Sequence, residues 1–409
     1  MRILVFGGYG AQGAVMCTEL VKHPMVDEVI CAGRHIERAK KFAERLRSEK
    51  LTVMRVDMSD IEDLRRAVKD VDMAINAATY FYNLRTLKAC AEAGAHYQDL
   101  ALGEPIEEPK IHLYDALMKE LALDQDFKDK GITALINNGM DPGITDAMAC
   151  HAAHTMDRVY EIRMKDCDII DATEPISTWS PYLLWRDMVA PARVFVDGRF
   201  ETRPPFSEEE YYRFPEPIGV QPCYQHAHEE IVIMGHYLRD KGLRYVEFKM
   251  CGPDMPYAKA IYDLGLANPN PIKVKGVEVA PFDLLVECLP KPLSMEEVEQ
   301  KIREGVLRDE IACILTDIIG ERKGKTIKAT YYAILTLKEA NKYMPGTTAT
   351  SYFVGIGAEA MTELLIEGKI TTRGVVSPEA LSLSEIEAYF KRLAEKGIIV
   401  NEVVHTPMA

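Results

Sequence analysis

The segment ILVFGGYGAQG, residues 3–13, decides how the rest of the chain is read. An apolar run from Ile3 to Phe6 gives way to glycines at 7, 8, 10 and 13. From Ala11 onward apolar residues recur at helical spacing through Val15, Met16, Leu20 and Val21. Strand, glycine-rich turn and helix in that order place main-chain N–H groups and a helix N-terminus where a pyrophosphate can sit. Gly8, Gly10 and Gly13 form G-x-G-x-x-G, and Gly7, Gly10 and Gly13 also fit G-x-x-G-x-x-G. Tyr9, Ala11 and Gln12 lie between these glycines and share the loop. The expected ligand is a dinucleotide.

The pattern then repeats. DEVICAGR, LTVMRVD, VDMAINAAT, HYQDL and ITALINNG read as further strands separated by amphipathic helices, one of them predicted from about Ile106 to Lys130 with a break at Pro109. Strands alternating with helices predict an α/β fold, a doubly wound parallel sheet of Rossmann type spanning residues 1–140. Beyond MDPG the periodicity changes to alternating strands (RVYEIRMKDC, LRYVEFKMC) and hairpins (VFVDGRF, and IACILTDIIGERKGKTIKATYYAIL with its Lys/Gly turn). Residues 141–345 are therefore expected to form an α+β domain with a mostly antiparallel sheet, for substrate binding and dimerisation. Residues 346–409 are expected to be a helical segment whose last helices pack back on the first domain.

A chain of 409 residues exceeds one ordinary core, which agrees with two domains. A net charge of −14 speaks against nucleic acid as a partner, because phosphate binding needs clustered Lys and Arg. No apolar run reaches the roughly 20 residues that span a bilayer, and Met1-Arg2 leads straight into the first strand. A cytoplasmic protein without membrane contact is expected. The nine cysteines contain no C-x-x-C pair and read as reduced thiols rather than as a disulfide or zinc framework.

At the end of the second strand, where NAD-binding domains place an acidic residue, stand Gly33 and Arg34. Glycine leaves room for a 2′-phosphate and a guanidinium can bind it, so NADP is expected over NAD, with Arg38 as a second cation; Asp57, closing the third strand, completes that end. Asn76, Ala77 and Ala78 close the fourth strand facing the nicotinamide, with Tyr80 beside them over cofactor or substrate. Asp141 in DPG precedes an apolar helix and can orient an amine or accept a proton. Thr178, Trp179 and Ser180 in STWSP offer polar groups beside an apolar wall. His226 and His228 in QHAHEE are candidate bases; no third ligand is fixed by spacing, and no metal is expected. Tyr237 and Lys241 have the spacing of a short-chain dehydrogenase pair but read as the end of a surface helix.

Taken together, GGYGAQG, NAATYFYN, GAHYQDL, MDPGITD, TWSP, GVEVAPFDLL and the tail TTATSYFVGIGAEAMTELLIEGKITTRGVVSPEAL resemble the saccharopine dehydrogenase and lysine 6-dehydrogenase family. The resemblance implies a homodimer and reversible oxidation of the C–N bond of an amino acid or its imine conjugate. That step needs a base and a carboxylate or dipole near the iminium, for which Asp141, Asp99, His226 and His228 are the catalytic candidates, with Tyr80 beside them. Two other readings stand beside it: a reductive condensation of polyamine or opine type, and an NADP-bound sensor without turnover.

Overall fold

A computed structural model describes residues 1–405. Its strands, in chain order, are β1 Arg2–Phe6, β2 Glu28–Gly33, β3 Leu51–Arg55, β4 Met73–Asn76, β5 His96–Asp99, β6 Thr133–Leu135, β7 Arg158–Ala172, β8 Ala192–Val196 and β9 Arg199–Arg203. They continue with β10 Glu210–Arg213, β11 Val220–Gln225, β12 Tyr245–Cys251, β13 Ile272–Val274, β14 Val277–Val279, β15 Leu307–Arg322, β16 Lys325–Thr336, β17 Gly374–Val376 and β18 Asn401–His405.

The first sheet has the order β17-β6-β5-β4-β1-β2-β3, with every neighbouring pair parallel. Ile3 to Phe6 are fully buried because helices cover both faces, which is why β1 is a continuous apolar run. The chain leaves β1 toward β2 on one side and returns to β4 on the other, so the crevice at the carboxyl ends of β1 and β4 is the switch point. The second sheet has the order β10-β11-β12-β7-β15-β16-β18, with β8 on β12 and β9 on β8. Only β12 and β7 are parallel neighbours there; the other pairs are antiparallel, as the alternating pattern predicts.

The tail does more than return helices. Thr348 caps the helix Ala349–Ile366 by accepting from the Ser351 N–H, and that helix lies tightly on the helix Ala11–Leu20. A Cβ on Gly355 would stand 2.6 Å from the Val15 side chain. Beyond it the chain supplies β17 to the first sheet, then the helix Leu383–Glu395, then β18 to the second. Strands in this segment run against the helical expectation. GVV is too short to register as a strand by itself, and pairing with Thr133–Leu135 at an otherwise open edge makes it one. The helix expected from about Ile106 gives way over residues 106–112: only Leu113–Leu121 and Asp124–Asp129 are helical, because Pro105 and Pro109 remove N–H donors and disfavour helix before them. No helix among the described residues is long and apolar enough to cross a membrane. The nine cysteines are free thiols, all buried except Cys288.

Candidate active site

The turn after β1 is built for close approach. Gly7 takes φ +73°, and a Cβ on it would lie 2.7 Å from the Ala77 carbonyl oxygen. A Cβ on Gly13 would lie 2.4 Å from the Gly7 oxygen. The helix Ala11–Leu20 begins at Gly10, which has no side chain to cap it, so its first N–H groups remain for an anion. A cradle that any Cβ would fill, together with an uncapped helix start, fits the pyrophosphate of a dinucleotide. Gly7 therefore belongs with Gly8, Gly10 and Gly13. At the adenosine end Gly33 closes β2, with Arg34 and Arg38 exposed beyond it and Arg55 opposite in the register of β3. Asp57 accepts from the Ser59 hydroxyl at 2.7 Å and the Ser59 N–H at 3.0 Å; these bonds, with the charges of Arg34 and Arg55, hold its carboxyl below the usual range.

At the nicotinamide end Asn76 organises the turn after β4. Its amide donates to the Thr79 carbonyl at 2.9 Å and to Asn83 Oδ1 at 2.7 Å, and accepts from the Ala78 N–H at 3.1 Å. Ala77 and Ala78 thereby present small side chains to a cavity of ≈ 190 Å³ that opens between the two domains. Tyr80 also faces this cavity. Its hydroxyl accepts from Arg186, which pairs with Glu104 at 2.5 Å, and burial pushes the phenol well above its ordinary pKa.

Five carboxyl groups line the same cavity: Asp141, Asp166, Asp168, Asp187 and Glu229. No Lys or Arg is among the lining residues. Asp166 and Asp168 come from one face of β7, Asp187 from the helix Pro181–Val189, and Glu229 from the turn after β11. Burial raises all five, Asp187 to about 7 and Glu229 to about 8; the charges of Glu230, Asp168 and Glu229 raise Asp141 further. One oxygen each of Asp166 and Asp168 is buried with no hydrogen-bond partner, while the other oxygen of Asp168 accepts from Thr350 at 3.3 Å. Burial of this kind favours the protonated form of each carboxyl group.

His228 stands on the cavity wall, stacked on Phe248 with ring centroids 4.1 Å apart and with Glu230 against Nδ1. The ligand-type atoms of His228, Glu229 and Glu230 lie within 4.8 Å of one another, but the Glu230 oxygen is engaged by the imidazole.

Of the residues singled out from sequence, Gln12, Asn76, Ala77, Ala78, Tyr80, Asp141, Trp179, Ser180 and His228 meet around this cavity. Asp99 does not. It is buried at the end of β5, accepts the Asn137 N–H at 2.7 Å, and burial raises it to about 7. His226 also lies outside the lining, in a loop rather than a strand, and burial lowers it to about 3. Thr178 faces an adjoining chamber that shares Asp168, Trp179 and Met250 with the first. Sequence reasoning missed Asp166, Asp168, Asp187 and Glu229; acidic residues within the apolar KDCDII strand were the available signal.

Residues 3–135 match the saccharopine dehydrogenase NADP binding domain and residues 139–398 the saccharopine dehydrogenase C-terminal domain. The chain belongs to the saccharopine dehydrogenase family. It is an NAD(P)-binding oxidoreductase of that family. Its fold is that of saccharopine dehydrogenase (L-Glu forming) from Saccharomyces cerevisiae, with a TM-score of 0.69 at 17% identity over 99% of this chain and 100% of that one. The homospermidine synthase of Legionella pneumophila, solved with NAD, also superposes with a TM-score of 0.69, at 16% identity over 99% of this chain and 91% of that one. Among curated relatives, the carboxyaminopropylagmatine dehydrogenase of Synechocystis is 24% identical over 100% of this chain and 99% of its own length. The carboxynorspermidine synthase of Vibrio alginolyticus is 24% identical over 93% of this chain and 92% of its own.

Proposed function

We propose that this protein is an NADPH-dependent reductase that joins a polyamine-type amine to a carbonyl compound, forming a secondary amine. The observation that carries the reading is the cavity itself: five carboxyl groups line it, with no Lys or Arg and with His228 as its one imidazole. A substrate with a single charged amine needs one such partner, whereas an amine carrying further positive charge can engage several. An amino acid would also need a cation for its own carboxylate, and Arg186, at the cavity edge, is already engaged by Glu104 and Tyr80. This favours condensation over the oxidation of an amino acid. The names of the Synechocystis and Vibrio relatives, which denote carboxylated polyamine-type compounds, support a polyamine-type amine as one reactant.

The amine nitrogen attacks the carbonyl carbon, water leaves, and an iminium remains. Carboxylates such as Asp141 and Asp187 stabilise its charge, and Tyr80 and Trp179 shape the wall beside it. Ala77 and Ala78 would hold the nicotinamide, and the bound cofactor would supply the hydride for reduction of the iminium carbon. His228, backed by Glu230, takes the proton that the amine must lose before attack and returns one to the departing oxygen.

The test is NADPH consumption with diamines or agmatine and a panel of aldehydes, supplied together and separately. Consumption only when both are present is expected. Reduction of NADP by lysine or saccharopine alone, with no consumption by any amine and aldehyde pair, overturns the reading.

A further inference from the structure

The space that Gly33 leaves at the end of β2 is not empty. A Cβ built there would lie 2.5 Å from the Tyr9 hydroxyl oxygen, 2.7 Å from Cε1 and 2.9 Å from Cζ. Tyr9, from the middle of the glycine-rich loop, has laid its ring where a side chain at position 33 would stand. Its hydroxyl accepts the His35 N–H at 3.2 Å, which ties the loop after β1 to the turn after β2. Arg38 lies over the same ring, its guanidinium carbon 5.5 Å from the centroid. Arg34 is exposed next to it, and Arg55 faces Gly33 across the register.

We propose that Tyr9 is the specificity-determining residue at the adenosine end of the cofactor site, excluding a ribose-binding carboxylate and carrying Arg38 toward the 2′-phosphate of NADP. A carboxylate at 33 would accept hydrogen bonds from the ribose hydroxyls of NAD; the phenol ring blocks that position. A guanidinium stacked on an aromatic face loses less freedom when it binds a phosphate, so the same ring favours the phosphorylated cofactor. Gly33 and the Tyr9 ring, distant in sequence, thus meet in one space, and a side chain at 33 would have to displace that ring. The inference is independent of the amine reading, because cofactor binding needs no substrate.

The experiment measures dissociation constants of NADPH and NADH by nicotinamide fluorescence on the whole protein. Tyr9→Leu should cut the NADPH preference about tenfold, through loss of the stacking surface, whereas Tyr9→Phe keeps the ring and most of the preference. Gly33→Asp alone should weaken both cofactors, since ring and carboxylate compete for one space. Gly33→Asp combined with Tyr9→Gly should restore NADH binding and reverse the preference. Circular dichroism establishes that each variant is folded, and Tyr9→Leu decides the matter by itself if the others are not. An unchanged ratio in Tyr9→Leu, tight NADH binding by Gly33→Asp alone, or a wild type without NADPH preference overturns the proposal.

Discussion

Replacing Asp187 with Asn keeps the shape of the cavity wall and removes one of the charges that would meet an ammonium group. At 4 Å and an effective dielectric near 20, two unit charges attract by about 4 kcal/mol. Part of that is spent on desolvation, and a charge-assisted hydrogen bond is worth roughly 1.5–3 kcal/mol net. The KM for the amine should therefore rise about ten- to a hundredfold. NADPH affinity should stay the same, because Asp187 belongs to the helix Pro181–Val189 of the second domain and not to the glycine-rich loop. A second signature follows from titration. Burial raises Asp187 to about 7, so before substrate binds it is protonated below that pH and charged above it. A bound cation favours the carboxylate, binding releases a proton, and affinity for the amine rises with pH. One such group contributes about tenfold between pH 6 and pH 8, and Asp187→Asn should remove that share of the slope. Steady-state kinetics against amine concentration across this pH range, with calorimetry of the NADPH complex, measures both effects. An unchanged amine KM, or a loss that falls equally on NADPH, refutes the electrostatic argument.

Gly13→Ala places a methyl group 2.4 Å from the Gly7 oxygen and should abolish measurable NADPH binding while lowering stability by about 1–3 kcal/mol, read by fluorescence titration and thermal unfolding. Lys396 joins the tail to the first domain, with Nζ 2.9 Å from Glu359, 3.2 Å from Glu363 and 3.3 Å from Glu19. Lys396→Met leaves the fully buried Glu359 without its cation and should cost about 3–5 kcal/mol in denaturant unfolding. Asp187 and Glu229, raised to about 7 and about 8, are protonated more readily folded than unfolded. Their contribution to stability is therefore greatest near pH 4 and is lost as pH rises through 8, and 1,4-diaminobutane should restore it; melting curves at pH 6 and 8.5 with and without the diamine test this.

The glycine-rich turn was legible because its requirements are local. Backbone φ at Gly7, the tight contact at Gly13 and the helix that follows all lie within residues 7–20, and the alternation of strand and helix after them leaves few topologies open. Polar residues at strand ends were legible as candidates too, but periodicity does not say which strand end faces the cleft. Asp141 and His228 reach it, while Asp99 and His226 stand behind the wall.

Short-range pattern was enough to specify the dinucleotide fold and the order of the domains. The remainder came from packing between distant segments. Asp166 and Asp168 on β7, Asp187 on a helix and Glu229 on a turn become one acidic site only when the second sheet closes over the first. GVV becomes a strand only against β6, and Gly33 takes its meaning from the ring of Tyr9. Each of these depends on a contact between segments far apart in the chain, and no local preference encodes such a contact.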